Sequence, residues 1–355
     1  MWPTPGIGTT NAPPALGRAG RTLAGSGAVL LLIIVGTAWL SASGGHPKGA
    51  TYTGAEAAQA QLWSFNGTDY ESLATARAGP SSTSLDLGFD RARGAALAWA
   101  HGCSRLVMGF TGGCQSPVNQ TWTWDGSAWV KAVTVSSPNE VGRGVMLYEG
   151  RLQQLAYVNG AGQAWAWTGA AWRMLDLKGG PHIELPGVLS KSPPSTFATG
   201  YDERRGLLVY ALSDRTWTWD GATWASINGG IDLADAGSDP HLVYDTDQSE
   251  LVYIGKHRTW TWDGASWRSF QQPDLSSGAV AYDPLRKRVV VVREDTDACD
   301  RAACAVATWT WDGQLWVHLS VEHPARVPLS RSSFFAPPLV FDDTRGVMLL
   351  LASAR

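Results

Sequence analysis

The sequence has no surplus of positive charge. Its 355 residues carry 28 Lys and Arg against 31 Asp and Glu, a formal net charge of −3. The first 48 residues hold 3 basic and no acidic side chains, so residues 49–355 hold the other 25 basic and all 31 acidic ones. Binding to nucleic acid needs clustered Lys and Arg against the phosphates. The composition therefore argues against nucleic acid as a partner.

The short motifs that mark many enzymes are also missing. The sequence contains no HExxH helix, no G-x-S-x-G nucleophile turn, no P-loop and no dinucleotide-binding glycine motif. No cysteines have CxxC spacing, and no His lies at zinc-finger spacing. We therefore expect neither a metal nor a cofactor. The sequence identifies no catalytic residue and favours a protein that is not an enzyme.

Charged side chains are absent between Arg21 and Lys48. Within this stretch, residues 22–42 are mostly apolar, and about 20 such residues in a helix can cross a bilayer core of roughly 30 Å. Arg18 and Arg21 precede the run, and the positive-inside rule places them in the cytoplasm. The pattern predicts a single membrane-spanning helix with the body of the protein outside.

These features divide the chain into four parts. We expect a short cytoplasmic tail at 1–21, a transmembrane signal anchor at 22–42, a linker at 43–60 and a folded body at 61–355. The alternative is a cleaved signal peptide, with a small-residue site at Ala42-Ser43-Gly44 and a secreted product. The chain would then be secreted instead of held at the cell membrane.

Cysteine is scarce, with four residues in the chain. Exported proteins form disulfides, whereas cytosolic proteins seldom keep them. Four cysteines allow three connectivities, and pairing of sequence neighbours is the simplest. We therefore expect disulfides between Cys103 and Cys114 and between Cys299 and Cys304.

Tryptophan, by contrast, is abundant, and 15 of the 19 tryptophans lie in five copies of one segment. The copies are TWTWDGSAW at 121–129, AWAWTGAAW at 164–172, TWTWDGATW at 216–224, TWTWDGASW at 259–267 and TWTWDGQLW at 308–316, with a degenerate sixth, LWSFNGTDY, at 62–70. Repetition at a spacing of about 49 residues is typical of propellers and solenoids.

Each copy reads as a β-hairpin. Trp122 and Trp124 are two residues apart, so both point to one face of a strand. Asp125-Gly126 is a hairpin-turn signal, because Gly accepts a positive φ and Asp hydrogen-bonds its own turn. Rings that recur at one position of every repeat indicate packing between repeats rather than a ligand site. We interpret the tryptophans as core.

A second hairpin precedes each Trp copy or follows the last one. Its strands flank an aromatic–acid pair and a polar turn, and the six copies begin at Leu87, Met146, Thr199, Leu242, Ala279 and Leu339. The chain opens with a Trp-type hairpin and ends with an aromatic–acid hairpin, and these two halves complete one unit together. The pattern predicts an all-β, six-bladed β-propeller over 61–355, in which N-terminal strands complete the last blade.

The Tyr-Asp-x-x-Arg-Gly turn, the apolar strand and the TWTWDGxxW hairpin resemble those of bacterial Kelch-like propellers. These are similar to the central propeller of galactose-oxidase-type proteins. The resemblance covers about 61–355, although the double glycine of Kelch repeats is mostly absent, with Gly112-Gly113 the nearest candidate. It implies a fold and not a copper-radical activity, which needs a cysteine free to cross-link to a tyrosine.

The irregular insertions fall in loops on one face of the predicted ring, where binding residues are commonly found. They lie at 101–120, 176–196, 226–240, 293–306 and 318–337. Candidate ligand-binding residues in them are His182, Glu184, His318, Glu322, His323 and Arg326. We expect a membrane-tethered module that binds a protein or glycan outside the membrane. The alternatives are a hydrolase, lyase or oxidase with its site at the channel mouth, and a purely structural module.

Overall fold

The computed structural model describes residues 59–73, 78–82, 84–107, 113–138, 144–159, 162–177, 179–180, 197–232, 241–275, 278–300, 303–328 and 337–353. These residues form β-strands, turns and loops. None of them belongs to a helix long and apolar enough to cross a bilayer, and the predicted anchor at 22–42 lies outside the described ranges.

The strands form six antiparallel blades, I to VI, numbered here in chain order of their innermost strands. The strands are β1 (Ala60–Phe65) and β2 (Tyr70–Leu73), in blade VI; β3 (Ser84–Asp90), β4 (Ala95–Val107), β5 (Gly113–Trp124) and β6 (Trp129–Lys131), in blade I; β7 (Gly144–Glu149), β8 (Gln154–Asn159), β9 (Ala164–Trp167) and β10 (Trp172–Leu175), in blade II; and β11 (Ala198–Asp202), β12 (Leu207–Ala211), β13 (Arg215–Trp219) and β14 (Trp224–Asn228), in blade III.

The remaining strands complete the ring. They are β15 (Val243–Asp245), β16 (Glu250–Ile254), β17 (Arg258–Trp262) and β18 (Trp267–Gln271), in blade IV; β19 (Ala279–Asp283), β20 (Arg288–Cys299), β21 (Ala303–Trp311), β22 (Trp316–Leu319) and β23 (Arg326–Pro328), in blade V; and β24 (Leu339–Asp342) and β25 (Val347–Ser353), in blade VI. Blade V gains its fifth strand because β23 pairs with β21.

Blade VI closes the ring as the sequence predicts. Its strand order is β2-β1-β25-β24, with the two outer strands from the beginning of the body and the two inner strands from its end. β1 and β25 are antiparallel, from Ala60 opposite Ser353 to Phe65 opposite Met348. The innermost strands contact one another in the order β24, β3, β7, β11, β15, β19 and back to β24. The six-bladed propeller is therefore confirmed.

The hydrophobic core lies between the blades. Each of the six apolar clusters in the described residues joins two adjacent blades. Trp124 and Trp129 are only 1% exposed between blades VI and I. Trp99, which lies outside the repeated Trp segments, packs edge-on against Tyr157 of blade II. The interpretation of the repeated tryptophans as core is confirmed for these residues, because their large rings fill the wedge between neighbouring sheets.

The first Thr of each TWTWDG segment has a specific role between blades. The buried Thr121 hydroxyl accepts a hydrogen bond of 2.9 Å from Nε1 of Trp172 in the next blade. The same arrangement recurs in the pairs Thr216–Trp267, Thr259–Trp316 and Thr308–Tyr70. A Trp indole can donate only through Nε1, and an acceptor for it removes the cost of leaving that donor unpaired when the ring is buried.

The two repeats that lack this Thr support its role as the acceptor for the indole of the next blade. Leu62 and Ala164 replace it in blades VI and II. Trp129 lies in the blade that follows Leu62 around the ring, and its Nε1 has no acceptor among the described residues. Nε1 of Trp224, which follows Ala164, donates instead to the backbone carbonyl of Leu177 at 3.1 Å.

We expect Thr259→Val to destabilise the protein by about 1–3 kcal/mol, because it leaves the Nε1 donor of Trp316 without its acceptor in a site of similar shape. Thr261→Val is the matched control: it lies two residues along the same strand, and its buried hydroxyl has no partner among the described residues. Urea denaturation of both variants tests this, and equal stability of the two would contradict it.

Candidate functional site

The blades present two different faces. One face, here called the turn face, carries the short turns after the first and third strands of each blade. The opposite face, the loop face, carries the hairpin ends between second and third strands and the blade-to-blade connections. The antiparallel strand order of every sheet fixes this division.

The Asp of each Asp-Gly turn caps its own backbone, as the sequence predicts. Oδ1 of Asp125 accepts hydrogen bonds from the backbone N–H groups of Ser127 and Ala128, at 2.8 and 3.0 Å. These bonds to the charged form lower the pKa of Asp125. Asp220, Asp263 and Asp312 cap their turns in the same way.

The acid of the aromatic–acid pair caps the other turn, but it is buried. Oδ1 of Asp342, a fully buried side chain, accepts the backbone N–H groups of Thr344 and Arg345 at 2.9 and 3.0 Å. Its Oδ2 pairs with Nη1 of Arg345 at 2.7 Å. Burying a carboxylate is costly unless it is paired with a cation and hydrogen-bonded. Arg345 supplies the cation, and the backbone N–H groups of Thr344 and Arg345 supply the hydrogen bonds.

The same arginine then crosses to the next blade. Nη2 of Arg345, in blade VI, donates to the backbone carbonyl of Asp125 in the Asp-Gly turn of blade I. A Cβ on Gly126 would overlap the guanidinium group, and Gly126 has a φ of +102°. The glycine is therefore required twice, for its backbone conformation and for the close approach of the arginine.

We call this Asp–Arg–turn contact the strap. It recurs in one direction around the ring, from Arg93 to Thr168, from Arg205 to Asp263 and from Arg286 to Asn66. In blade II Arg151 pairs with Glu149, lies against Gly221 and covers the ring of Trp219. Blade IV has Gln248 at the arginine position, and burial without that cation raises the pKa of Asp245.

The central channel is lined by residues of all six blades, including one aromatic residue from each. A cavity of about 120 Å³ runs along the innermost strands, and its walls include Phe89, Tyr148, Tyr201, Tyr244, Tyr282 and Phe341. At its turn-face end, Arg91 of blade I pairs with Glu203 of blade III at 2.7 Å and with Asp343 of blade VI at 2.9 Å. Side chains from opposite sides of the ring therefore meet over the channel mouth.

The loop face carries two long hairpins. β4 and β5 have 13 and 12 residues, and β20 and β21 have 12 and 9, whereas β8, β12 and β16 have 6, 5 and 5. About six extra residues per strand extend a hairpin by roughly 20 Å. Disulfides join Cys103 to Cys114 and Cys299 to Cys304, with Cα atoms 5.6 and 3.9 Å apart. The predicted cysteine pairing is confirmed.

The hairpin of blade V is braced from the side. β23 pairs with β21 over Ala303–Ala305, next to the disulfide. Arg326, at the start of β23, binds Asp300 through Nη2 at 2.6 Å and the carbonyl of Ala303 at 3.2 Å. This candidate binding residue thus holds the end of the hairpin.

The other described candidates do not contact the partners of Arg326, and only the adjacent Glu322 and His323 lie next to each other. The His318 ring packs on Trp309 with centroids 4.8 Å apart, while Glu322 is exposed. His323 donates its backbone N–H to Asp69 at 2.9 Å, and its Nδ1 lies 2.7 Å from the same carboxylate. His182 and Glu184 lie outside the described residues. The described candidates therefore contact three different partners instead of one common point.

Sequence reasoning missed the strap arginines and Arg91. A signal for the former was present, because an Arg follows the buried Asp by three residues at Arg93, Arg205, Arg286 and Arg345. No comparable repeat marks Arg91, whose turn position is occupied in other blades by residues such as Glu203, Pro284 and Asp343.

No protein-family model matches the chain, and no curated protein sequence matches it. Similar solved structures include a structural-genomics protein of unknown function from Bacteroides thetaiotaomicron (10% identity, 83% of this chain and 76% of that chain, TM-score 0.45). Others are a protein from Agrobacterium tumefaciens assigned as TolB (12%, 84% and 99%, 0.46) and YCF48 from Cyanidioschyzon merolae (14%, 75% and 78%, 0.34). At such scores the propeller assignment rests on this chain's own strand pairing.

We expect Gly126→Ala to destabilise the protein more than Gly313→Ala. Both positions have a positive φ near +100°, so both variants carry a backbone cost of about 1–2 kcal/mol. A Cβ at 126 would also displace Arg345 from its strap, whereas at 313 the nearest atom is Cδ of Gln248 at 3.2 Å. Denaturant unfolding measures the difference, and equal losses would show that the strap adds nothing.

The His323–Asp69 pair should stabilise the fold in a limited pH window. Hydrogen bonding to Asp69 raises the pKa of His323 from its ordinary 6.5, and the same bond lowers the pKa of Asp69 from 3.8. The histidine contribution is therefore complete below pH 6.5 and is lost as the pH rises through the raised value. The aspartate contribution is lost as the pH falls through the lowered value.

Thermal unfolding of the wild type and of His323→Gln between pH 5 and 8.5 tests this window. The gap in Tm should be largest near pH 5 to 6 and should close at high pH. His318→Gln, which alters a histidine packed on Trp309, serves as the control. A pH-independent gap for His323→Gln would contradict the expected titration.

Proposed function

We propose that this protein is a Kelch-like propeller, tethered to the cell membrane by residues 22–42, that binds a protein or glycan outside the membrane through its loop face. The observation that carries the proposal is the pair of disulfide-stapled hairpins in blades I and V. These blades flank blade VI, so the two hairpins stand on either side of one blade and on one face of the ring.

The root of the blade I hairpin is held by polar and stacking contacts. The His101 ring stacks on Trp99 with centroids 4.1 Å apart, and its Nε2 lies 2.8 Å from Oδ2 of Asp86. Nε1 of Trp99 donates to Asn119 at 2.8 Å, and Asn119 donates to the carbonyl of Pro138 at 3.1 Å. Blade I is thereby joined to the connection that follows it.

Such bracing supports a binding role. A projection ordered before it meets its partner loses less conformational entropy on binding, so more of the contact energy appears as affinity. The hairpin of blade V is ordered by its own disulfide, by β23 and by the Arg326–Asp300 pair. Both hairpins are therefore ordered before a partner binds, and they can form two sides of one binding site.

The position of the first strand fits the proposed tether. β1 runs from Ala60 toward the turn at Asn66, so Ala60 lies at the loop face, beside Ser353. In the proposal, residues 43–60 connect the anchor at 22–42 to β1.

A photo-crosslinking amino acid at single exposed positions of the full-length protein tests the binding face in cells. Pro117 lies in the blade I hairpin and Asp297 in the blade V hairpin. We expect both positions to capture the same partner. The matched controls are Arg204 and Leu285, which are exposed on the turn face.

Capture from Arg204 or Leu285 at the same yield, or from these alone, would contradict loop-face binding. Topology is tested separately by adding protease to intact spheroplasts. The propeller should be degraded, and a peptide that still contains Met1 should stay with the membrane. A protected propeller would contradict the outward orientation, and loss of Met1 from all the protein would contradict the anchor.

A further inference from the structure

The turn-face end of the channel already holds one organic cation, the guanidinium group of Arg91. It forms ion pairs with Glu203 and Asp343, at 2.7 and 2.9 Å, and lies over the ring of Tyr148 at 5.4 Å from the centroid. Four blades thus supply one group each to this position. Two carboxylates and an aromatic face are the groups that bind guanidinium and ammonium ions.

The charge balance of the mouth favours a cation over an anion. Arg91 contributes one positive charge, whereas Glu203 and Asp343 contribute two negative ones. Two of the guanidinium nitrogens, Nη1 and Nε, already donate to these carboxylates. An anion would therefore meet net repulsion, and a cation that replaced Arg91 would recover both ion pairs.

Arg91 is placed so that it can leave. Its side chain is 40% exposed and its two partners are 31% and 34% exposed, so water and other cations can reach both ion pairs. Its flexible stem can carry the charge into solvent. The resident cation is thus a competitor that a ligand can displace.

The channel behind the mouth has room for a short alkyl chain. Its lining is mixed and includes Leu87, Met146, Leu155 and Leu242 as well as one aromatic residue from each blade. Its volume of about 120 Å³ is close to that of an engineered cavity of about 150 Å³ that binds benzene. A short alkyl chain fits in that space.

We propose that the turn-face mouth and the channel form a binding site for a small organic cation, a guanidinium or alkylammonium group attached to a short alkyl chain. The charged head takes the position of the Arg91 guanidinium, between Glu203, Asp343 and Tyr148, and the chain extends into the channel. This site lies on the face opposite the stapled hairpins and does not depend on the function proposed for them.

Titration calorimetry of the full-length protein with butylguanidinium, methylguanidinium and pentanoate tests the site. Butylguanidinium should bind at least tenfold more tightly than methylguanidinium, because its chain leaves water in the channel and each fully buried methylene strengthens binding about fourfold. Pentanoate should not bind. Equal affinities for the two cations, or binding of pentanoate, would overturn the proposal.

Two substitutions give opposite, specific results. Arg91→Ala should tighten butylguanidinium binding by about tenfold, because it removes the resident competitor, and Glu203→Gln should weaken it by a similar factor. Arg204→Ala is the matched control, since it removes the same charge from an exposed position next to Glu203 and leaves Arg91 in place. An equal gain from Arg91→Ala and Arg204→Ala would overturn displacement at the mouth.

The test does not depend on one variant folding. If Arg91→Ala is not recovered as folded protein, Arg91→Gln keeps most of the stem and removes the charge. It should also bind butylguanidinium more tightly than the wild type. Unchanged binding by a folded Glu203→Gln protein would by itself overturn the site.

Discussion

Five of the six joints between blades depend on a carboxylate that is buried together with its own cation; in blade IV, Gln248 replaces that cation. Asp342 and its counterparts lie out of water at the end of the first strand, where an unpaired charge would be costly. Arg345 neutralises that charge and uses its remaining nitrogen to bind the next turn. The missing Cβ of Gly126 gives the guanidinium the space it needs. Asp, Arg and Gly are therefore parts of one interaction, although they belong to two blades.

A second contact, farther from the axis, joins neighbouring sheets except at the blade VI–I joint, where none is found among the described residues. Where the Thr is present, its hydroxyl is hydrogen-bonded to the Trp or Tyr of the following blade, as with Thr259 and Trp316. Between these two polar contacts the apolar clusters fill the wedge. The large rings therefore supply area, and the polar contacts fix the register of one blade against the next. The blade II–III joint shows that the register survives when Ala164 removes the Thr, because Trp224 finds a backbone carbonyl.

Much of the fold could be predicted from the sequence, and the candidate site only in part. Blade number, hairpins, ring closure and cysteine pairing could be predicted from the spacing of residues along the chain, because the same residue pattern forms the same hairpins in each repeat. The strap between Arg345 and Asp125 joins residues 220 positions apart, and no local pattern specifies such a partner. His323 and Arg326 follow the fourth strand of blade V, in a segment unlike those after the other fourth strands, so their contacts could not be read from periodicity. The same applies to Arg91, whose partners come from three other blades.

The straps all run in one rotational direction. Each blade with the full motif therefore carries one arginine that donates to the next blade and one turn that accepts from the previous blade. A blade of this kind can follow any other of its kind, because the joint is the same wherever it occurs. Duplication of one unit of about 49 residues would therefore supply both halves of a new joint in a single genetic event. The joints do not determine the number of blades in the ring. That number depends on the wedge angle between packed sheets and on the split last blade. Such a ring can grow by whole units, and it can vary its loops without altering how those units connect.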